Sequence, residues 1–274
     1  MKRLVILHGS ARKGIGWRAT RVFLDELNRL EPVEVREVFL SRETPDLCTG
    51  CYRCFLEGEN RCPHHGTIGP VVEAMDGADG LVLVTPVYAL EMSGAMKTFM
   101  DHLAYCFVNH RPRFYGKQAV VIATTAGAGT GGVLKSLKRI LRFWGIPRVH
   151  GVGIRGMASG WEEMAPANRD RATRRLTKAA RAFHRGLTAE KQPTPRLSQH
   201  MMFAASKALV GTLEPDHPDR TYWEAKGWTE KSAVTFQPET DVGPGRRLLS
   251  AGIGMLLGRL TPVKGPEKTS EDGH

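Results

Sequence analysis

The sequence predicts an α/β fold: a doubly wound, five-stranded parallel sheet followed by a mainly helical C-terminal extension. Three features point to it. Short continuous apolar runs alternate with stretches whose apolar residues recur at helical spacing. The runs lack polar alternation, as strands buried on both faces require. Three strands end in loops rich in Gly, Ser, Thr or Pro, and in such sheets ligands bind beyond the carboxyl ends of the strands.

Leu4–Leu7 is the first strand, and Thr20–Leu30 follows as a helix with Val22, Phe23, Leu27 and Leu30 on one side. Val33–Leu40 is the second strand. Leu81–Val84 is the third and ends at Thr85-Pro86. Ser93–Leu103 reads as a helix with Ser93 at its N-cap. The fourth strand, Ala119–Ala123, runs into the glycine-rich stretch ATTAGAGTGG. The next helix sets Val133, Leu137, Ile140, Leu141 and Trp144 against Lys135, Lys138, Arg139 and Arg142. Val149–Ile154 is the fifth strand. Ala167–Leu187 closes the unit, with Leu176, Ala180, Phe183 and Leu187 in register. A two-proline linker, Glu190–Arg196, separates this unit, residues 1–187, from an extension of residues 188–274. The extension holds a Met-rich helix (Leu197–Leu213), a polar aromatic segment (DRTYWEAKGW) and an apolar stretch, Leu248–Leu260.

Composition bounds the function. Hydrophobic residues make up 41% of 274, which suits a folded chain and excludes disorder. No run approaches the ~18 apolar residues of a spanning helix. The opening MKRLVILHGS is too short for a signal peptide and leads into a glycine turn, so a cytoplasmic protein is expected. The five cysteines should then be reduced or metal-bound, not paired. Eleven basic and eleven acidic residues lie from Thr188 onward, so the whole net charge of +11 belongs to the first 187 residues. Such a surface draws anionic cofactors, acidic lipids or nucleic acid, or is simply a solvated helix face. No nucleic-acid motif accompanies the charge, so no specific nucleic-acid partner is expected.

The first loop reads His8-Gly9-Ser10-Ala11-Arg12-Lys13-Gly14-Ile15-Gly16-Trp17 and opens a helix. Its N–H groups, the Ser10 hydroxyl and Arg12 form an anion cradle suited to a phosphate monoester, or else an ordinary glycine-rich turn. The spacing fits neither GxxxxGK[ST] nor GxGxxG. After the third strand come Thr85-Pro86-Val87-Tyr88 and then Ser93-Gly94-Ala95-Met96-Lys97-Thr98-Phe99-Met100-Asp101-His102. These motifs, with Gly9-Ser10-Ala11-Arg12, resemble those of the NADPH-dependent FMN reductases and flavodoxin-like oxidoreductases over about residues 1–187. The resemblance implies a flavodoxin-like fold and an FMN site. Ser10, Arg12, Gly14, Ile15, Gly16 and Trp17 would hold the phosphate. Thr85, Pro86, Val87 and Tyr88 would lie along the isoalloxazine. Thr124, Thr125, Ala126, Gly127 and Gly129 would close its other edge. A Thr-Pro-Val-Tyr loop offers a flat flavin both a platform and backbone N–H groups, although a core role for Tyr88 is the alternative. The chain departs from the family at Gly16-Trp17, where Asn-Thr or Asn-Ser is usual, unless Thr20 supplies the missing hydroxyl. It departs again at His102, where Arg is usual.

Cys48, Cys51, Cys54 and Cys62 read C-x2-C-x2-C-x7-C, with Pro63 after the last. Three thiolates at short gaps with a distant fourth can hold a [4Fe–4S] cluster. Zinc, or free thiols, are the alternatives. The pattern resembles the compact motif of iron–sulfur flavoproteins, which share this fold. Following the second strand, the loop is expected at the same sheet edge as the flavin loops, where unligated cysteines would form a pocket wall. Cys106 lies outside the motif and reads as a buried thiol.

The resemblance implies an FMN-dependent enzyme that takes electrons from NADH or NADPH and passes them to a small-molecule or protein acceptor. The alternative is an iron–sulfur electron carrier with no substrate of its own. A homodimer or higher oligomer is expected, and a cluster, if formed, would pass single electrons to FMN, within a chain or across that interface. Arg246-Arg247 before Leu248–Leu260 allows peripheral membrane contact, or packing of that helix on protein.

Overall fold

Successive residues of the first strand point to opposite faces of the sheet, and this divides the core in two. The computed structural model describes residues 1–43, 46–190 and 197–236, with Gly243, Gly245 and Gly252. In chain order the elements are β1 (Lys2–His8), α1 (Ile15–Leu30), β2 (Val33–Phe39), α2 (Leu40–Glu43), α3 (Arg53–Leu56), α4 (His65–Gly77), β3 (Gly80–Tyr88), β4 (Glu91–Met92) and α5 (Gly94–His102). Then follow β5 (Gln118–Thr125), α6 (Thr130–Phe143), β6 (Arg148–Arg155), α7 (Pro166–Leu187), α8 (Leu197–Val210) and α9 (Pro218–Ala225).

The sheet order is β2-β1-β3-β5-β6, all parallel, as the alternation of strands and helices requires. Val5, Leu7, Leu81, Leu83 and Val121 pack on one face under α4, α5 and α6. Leu4, Ile6, Val82, Val84, Val120 and Ile122 pack on the other under α1 and α7. Both faces are covered, which is why the strands read as unbroken apolar runs.

The structure alters several sequence expectations. A sixth strand, β4, pairs antiparallel with the end of β3. The third strand outruns its apolar segment because Thr85 and Pro86 continue the ladder to β5, and a tight turn then reverses the chain. Ala89 and Leu90 both take positive φ there, 49° and 67°. Hairpin turns of this sort normally use Asn and Gly, so the turn stores strain of ~1–3 kcal/mol per residue. Helix α1 begins at Ile15 rather than Thr20, since Ile15 and Ala19 both seat in the core. Leu30, at its last turn, is exposed. Helix α4 was not foreseen, although Ile68, Val71, Val72 and Met75 recur at helical spacing and are buried. Ser93 caps α5 as expected, accepting from the Met96 N–H.

Beyond Leu187 the chain builds a third apolar cluster. Phe203, Val210, Trp223, Trp228 and Phe236 enclose Val108 and touch Tyr115 and Phe143. The extension is thereby seated on the segment between α5 and β5. The Met-rich helix ends at Val210, short of Leu213. Residues 191–196 of the linker and nearly all of the Leu248–Leu260 stretch lie outside the described residues. Among the described residues no helix is long and apolar enough to cross a membrane.

A β-carbon on Gly80 would stand 2.5 Å from Phe183 Cζ, at the start of β3 under α7. Gly80→Ala should therefore destabilise the fold by about 1–3 kcal/mol, as overpacking does. A lower urea midpoint with an unchanged m-value is the expected result.

Candidate functional site

Three loops converge at the carboxyl edge of the sheet on a cavity of about 280 Å³. The loop after β1 brings Ser10, Arg12, Gly14, Ile15, Gly16 and Trp17 to it. The end of β3 brings Pro86, Val87 and Tyr88, and the end of β5 brings Thr124, Thr125 and Ala126. Residues from three separated stretches of sequence thus line one space, because parallel strands all end on the same side.

Helix α1 opens onto this space with no side-chain cap at Gly14. Its first backbone bond runs from the Arg18 N–H to the Gly14 carbonyl, at 3.1 Å. The N–H groups of Ile15, Gly16 and Trp17 precede that bond and sit at the positive end of the helix dipole. Around them the rim is basic. Lys13, Arg18 and Arg21 stand 5.4, 5.5 and 5.0 Å from the centre of the Trp17 ring. Arg12 donates to the Ser159 carbonyl at 2.9 Å, which ties the β6 loop over the cradle. The Gly16-Trp17 departure thus exchanges a neutral hydroxyl for an aromatic ring that gathers three cations. Thr20 does not replace the lost hydroxyl. It is buried and donates to the Gly16 carbonyl at 3.0 Å within α1.

Three expected residues stand back from the cavity. Thr85 is fully buried, donates to the Pro86 carbonyl at 2.9 Å and accepts from the Ser93 N–H at 3.1 Å. It shapes the platform from behind. Gly127 donates its N–H to Thr125 Oγ1 at 3.2 Å within the loop. Gly129 has φ +97°, and a β-carbon there would lie 2.7 Å from Val87 Cγ1, so glycine lets this loop approach the β3 platform. Tyr88 is no core residue, being 57% exposed at the cavity mouth.

Sequence reasoning missed His8, Val84, Ala158 and Ser159, which also line the cavity. His8 was within reach of the strand pattern, as the last residue of β1. Its Nε2 lies 2.8 Å from Glu37, its ring stacks on Phe39, and Glu37 also pairs with Arg21 at 2.7 Å. The Ala158–Ser159 loop has no sequence signal, since only the fold brings it over α1.

The cysteine loop stands outside this cavity. None of Cys48, Cys51, Cys54 and Cys62 lines this cavity, so they do not form its wall. After α2 the loop packs on residues 102–113. His64 meets His102 edge-on at 4.9 Å, and the Cys54 carbonyl accepts from Arg111. Cys48 and Cys51 are exposed, Cys54 and Cys62 half-buried, and all five thiols are free. Burial, then the neighbouring Cys62, pushes the Cys54 thiol up to about 11, with Arg111 opposing and Cys48 and Cys51 adding to the rise. The other three thiols therefore lie within electrostatic reach of Cys54, and four thiols are the donor chemistry of an iron–sulfur cluster. Among the described residues, however, no three such side chains are arranged as a closed ligand set. Cys106 is fully buried, as expected.

Burial pushes the His8 pKa below the usual 6.5, against the pull of Glu37. The unfolded chain then takes up a proton before the folded one does. Stability contributed by His8 is full above 6.5 and is lost as pH falls through the lowered folded value. The urea midpoint should therefore drop between pH 7.5 and 5.5 more steeply in the wild type than in His8→Gln.

Residues 1–157 match the sequence profile of the family described as NADPH-dependent FMN reductase. An iron-sulfur flavoprotein of Archaeoglobus fulgidus is 29% identical over 231 residues, which cover 83% of this chain and all of that protein. Among solved structures, an NAD(P)H:quinone oxidoreductase from Methanothermobacter marburgensis superposes with a TM-score of 0.54. It is 17% identical, over 66% of this chain and 96% of that one. An FMN-dependent NADH-azoreductase from Bacillus anthracis, in complex with FMN, superposes with a TM-score of 0.52 at 17% identity, over 67% of this chain and all of that one. These two show the shared fold, and the profile match over more than half the chain shows the family. The chain belongs to the NADPH-dependent FMN reductase family and is an FMN-containing NAD(P)H oxidoreductase.

Proposed function

We propose that the cavity at the carboxyl edge of β1, β3 and β5 is the FMN site, and that residues 1–187 form the unit that carries it. The single observation behind this reading is the convergence of the three loops on the open amino terminus of α1, beside Arg12. Arg12 and the N–H groups of Ile15, Gly16 and Trp17 would receive the phosphate, the guanidinium adding a charge-assisted bond. Pro86, Val87 and Tyr88 would support the ring, and Thr124, Thr125 and Ala126 would meet its opposite edge. Bound FMN supplies reversible electron storage in both one- and two-electron steps. The chain's own task is to orient the flavin and leave one side open to the nicotinamide and to the acceptor. The exposed Tyr88 leaves such an opening, and no acid–base pair is needed for it. Exposed Leu90 and Met157 near the mouth favour a homodimer that covers them. Five unpaired thiols suit the cytoplasm.

We further propose that Cys48, Cys51, Cys54 and Cys62 hold a [4Fe–4S] cluster, which would hand electrons singly to the acceptor. Support comes from the C-x2-C-x2-C-x7-C spacing, from the reach of the other three thiols to Cys54, and from a match spanning the whole of a relative named an iron-sulfur flavoprotein.

Purified protein should be yellow, and anaerobic mixing with NADPH or NADH should bleach it. A flavin that neither donor bleaches replaces the reductase reading with that of an electron carrier. Arg12→Ala should remove a charged phosphate partner, costing about 1.5–3 kcal/mol, or roughly ten- to a hundredfold in FMN Kd by fluorescence titration. Anaerobic purification should yield about four irons per chain, lost in Cys51→Ala. Stoichiometric zinc, or no metal, removes the cluster and leaves a plain FMN reductase. Reoxidation of the bleached protein by quinone, nitro, azo, free flavin or ferric acceptors would then name the acceptor class.

A further inference from the structure

The aromatic stretch from Asp219 to Trp228 lines no part of the cavity, yet its polar side chains reach the segment between α5 and β5, and Asp219 and Trp223 are buried there. Trp223, wholly buried, donates its indole N–H to the His110 carbonyl at 2.6 Å. Tyr222 donates its hydroxyl to the Pro112 carbonyl at 2.5 Å. Asp219, at the start of α9, is 2% exposed. One carboxylate oxygen accepts from His110 Nδ1 at 2.7 Å, and the other accepts from the Arg111 guanidinium.

Arg111 is itself 3% exposed and reaches past Asp219. Its other terminal nitrogen donates to the Cys54 carbonyl, and its Nε lies 3.2 Å from Glu59. His110 meets Phe55 of α3 edge-on at 4.6 Å. Arg113 joins Glu59, at 2.7 Å, to Asp76 of α4. Residues 110–113 therefore form a rung, with α9 on one side and the cysteine loop on the other. Cys54 precedes Glu59 and Cys62 follows it, so Arg111 grips the long arm of the cysteine motif at two points.

We propose that the C-terminal extension positions the cysteine loop: Asp219 orients Arg111, and Arg111 holds the Cys54 carbonyl and Glu59 so that Cys54 and Cys62 stay within reach of a shared ligand. The physical reason is charge. A buried guanidinium needs a buried counter-charge to stay in place. Without the Asp219 carboxylate, Arg111 turns toward water and releases the Cys54 carbonyl. Asp219 and Arg111 are positioning residues, and neither lines the flavin cavity. The role in ligand holding rests on the proposal that the four thiols act as one set. The grip on the loop does not.

The test is hydrogen exchange by mass spectrometry on the full-length protein, purified anaerobically, with iron and FMN counted on the same samples. Asp219→Asn should speed exchange across residues 53–62 by about tenfold or more, as a local opening does. It should speed alkylation of Cys54 by iodoacetamide in parallel, while FMN content and exchange at residues 8–17 and 84–88 hold. Arg111→Lys should loosen the same loop while α9 stays protected, which separates the effect from unfolding of the extension. Asp219→Glu should restore protection, and Arg220→Ala, on the same helix but directed away from the loop, should change nothing at residues 53–62. Unchanged exchange at residues 53–62 in both Asp219→Asn and Arg111→Lys overturns the proposal and leaves the extension as a cover for apolar surface. Iron absent from the wild type, with the loop loosened as described, upholds the grip and refutes the ligand set alone.

Discussion

A sheet whose two faces are both buried can pair its strands in parallel only by returning the chain through helices. Every connection from strand end to helix start then falls on one edge. In this protein that constraint puts the loops after β1, β3 and β5 side by side, although more than a hundred residues separate the first from the last. It also places the amino terminus of α1 among them, where its unpaired N–H groups face a cavity rather than solvent. The positive end that this edge presents follows from backbone geometry. The side chains of Arg12, Lys13, Arg18 and Arg21 reinforce it.

Local strain collects where the cavity is shaped. The Tyr88–Glu91 turn uses Ala89 and Leu90 at positive φ, where glycine or asparagine would be relaxed. The turn carries Tyr88 to the cavity mouth and holds Leu90 against the Gly129 loop, where a β-carbon would come within 3.3 Å of the Leu90 side chain. Behind it, buried Thr85 donates to the Pro86 carbonyl and accepts from the Ser93 N–H, which fixes the direction of the β3 end. Strain at the tip is thus borne by a rigid base, as is common where a backbone must meet a ligand.

The cysteine loop depends on a different kind of constraint. Its apolar anchorage is slight: Cys54 and Phe55 pack half-buried against the core, and α3 has no fully buried residue. Its order comes from charged and aromatic groups on the segment between α5 and β5, which is pressed from behind by the extension. Two chemically distinct regions therefore sit on one domain, a cavity built from the sheet edge and a thiol cluster built from side-chain contacts. No lining residue is shared between the cavity and the four thiols.

By itself, the sequence determined the five parallel strands, most of the helices around them, the Ser93 cap and the three loops that meet at the cavity. Those features are local: a continuous apolar run, a 3.6-residue period or a Gly-Ser or Pro-containing break can each be seen within a dozen residues. Helix α4 escaped because Gly66, Gly69, Pro70 and Gly77 disguise a period that Ile68, Val71, Val72 and Met75 still carry. Only the tertiary structure decided that His8 and Ser159 join the cavity, that Thr85, Gly127 and Gly129 stand behind it, and that Thr20 turns inward. Only the tertiary structure left the four cysteines out of the cavity lining and set Asp219 against Arg111. The reason is that a buried charge finds its counter-charge through packing, between residues 108 apart in the chain, and no pattern of neighbouring residues encodes that meeting.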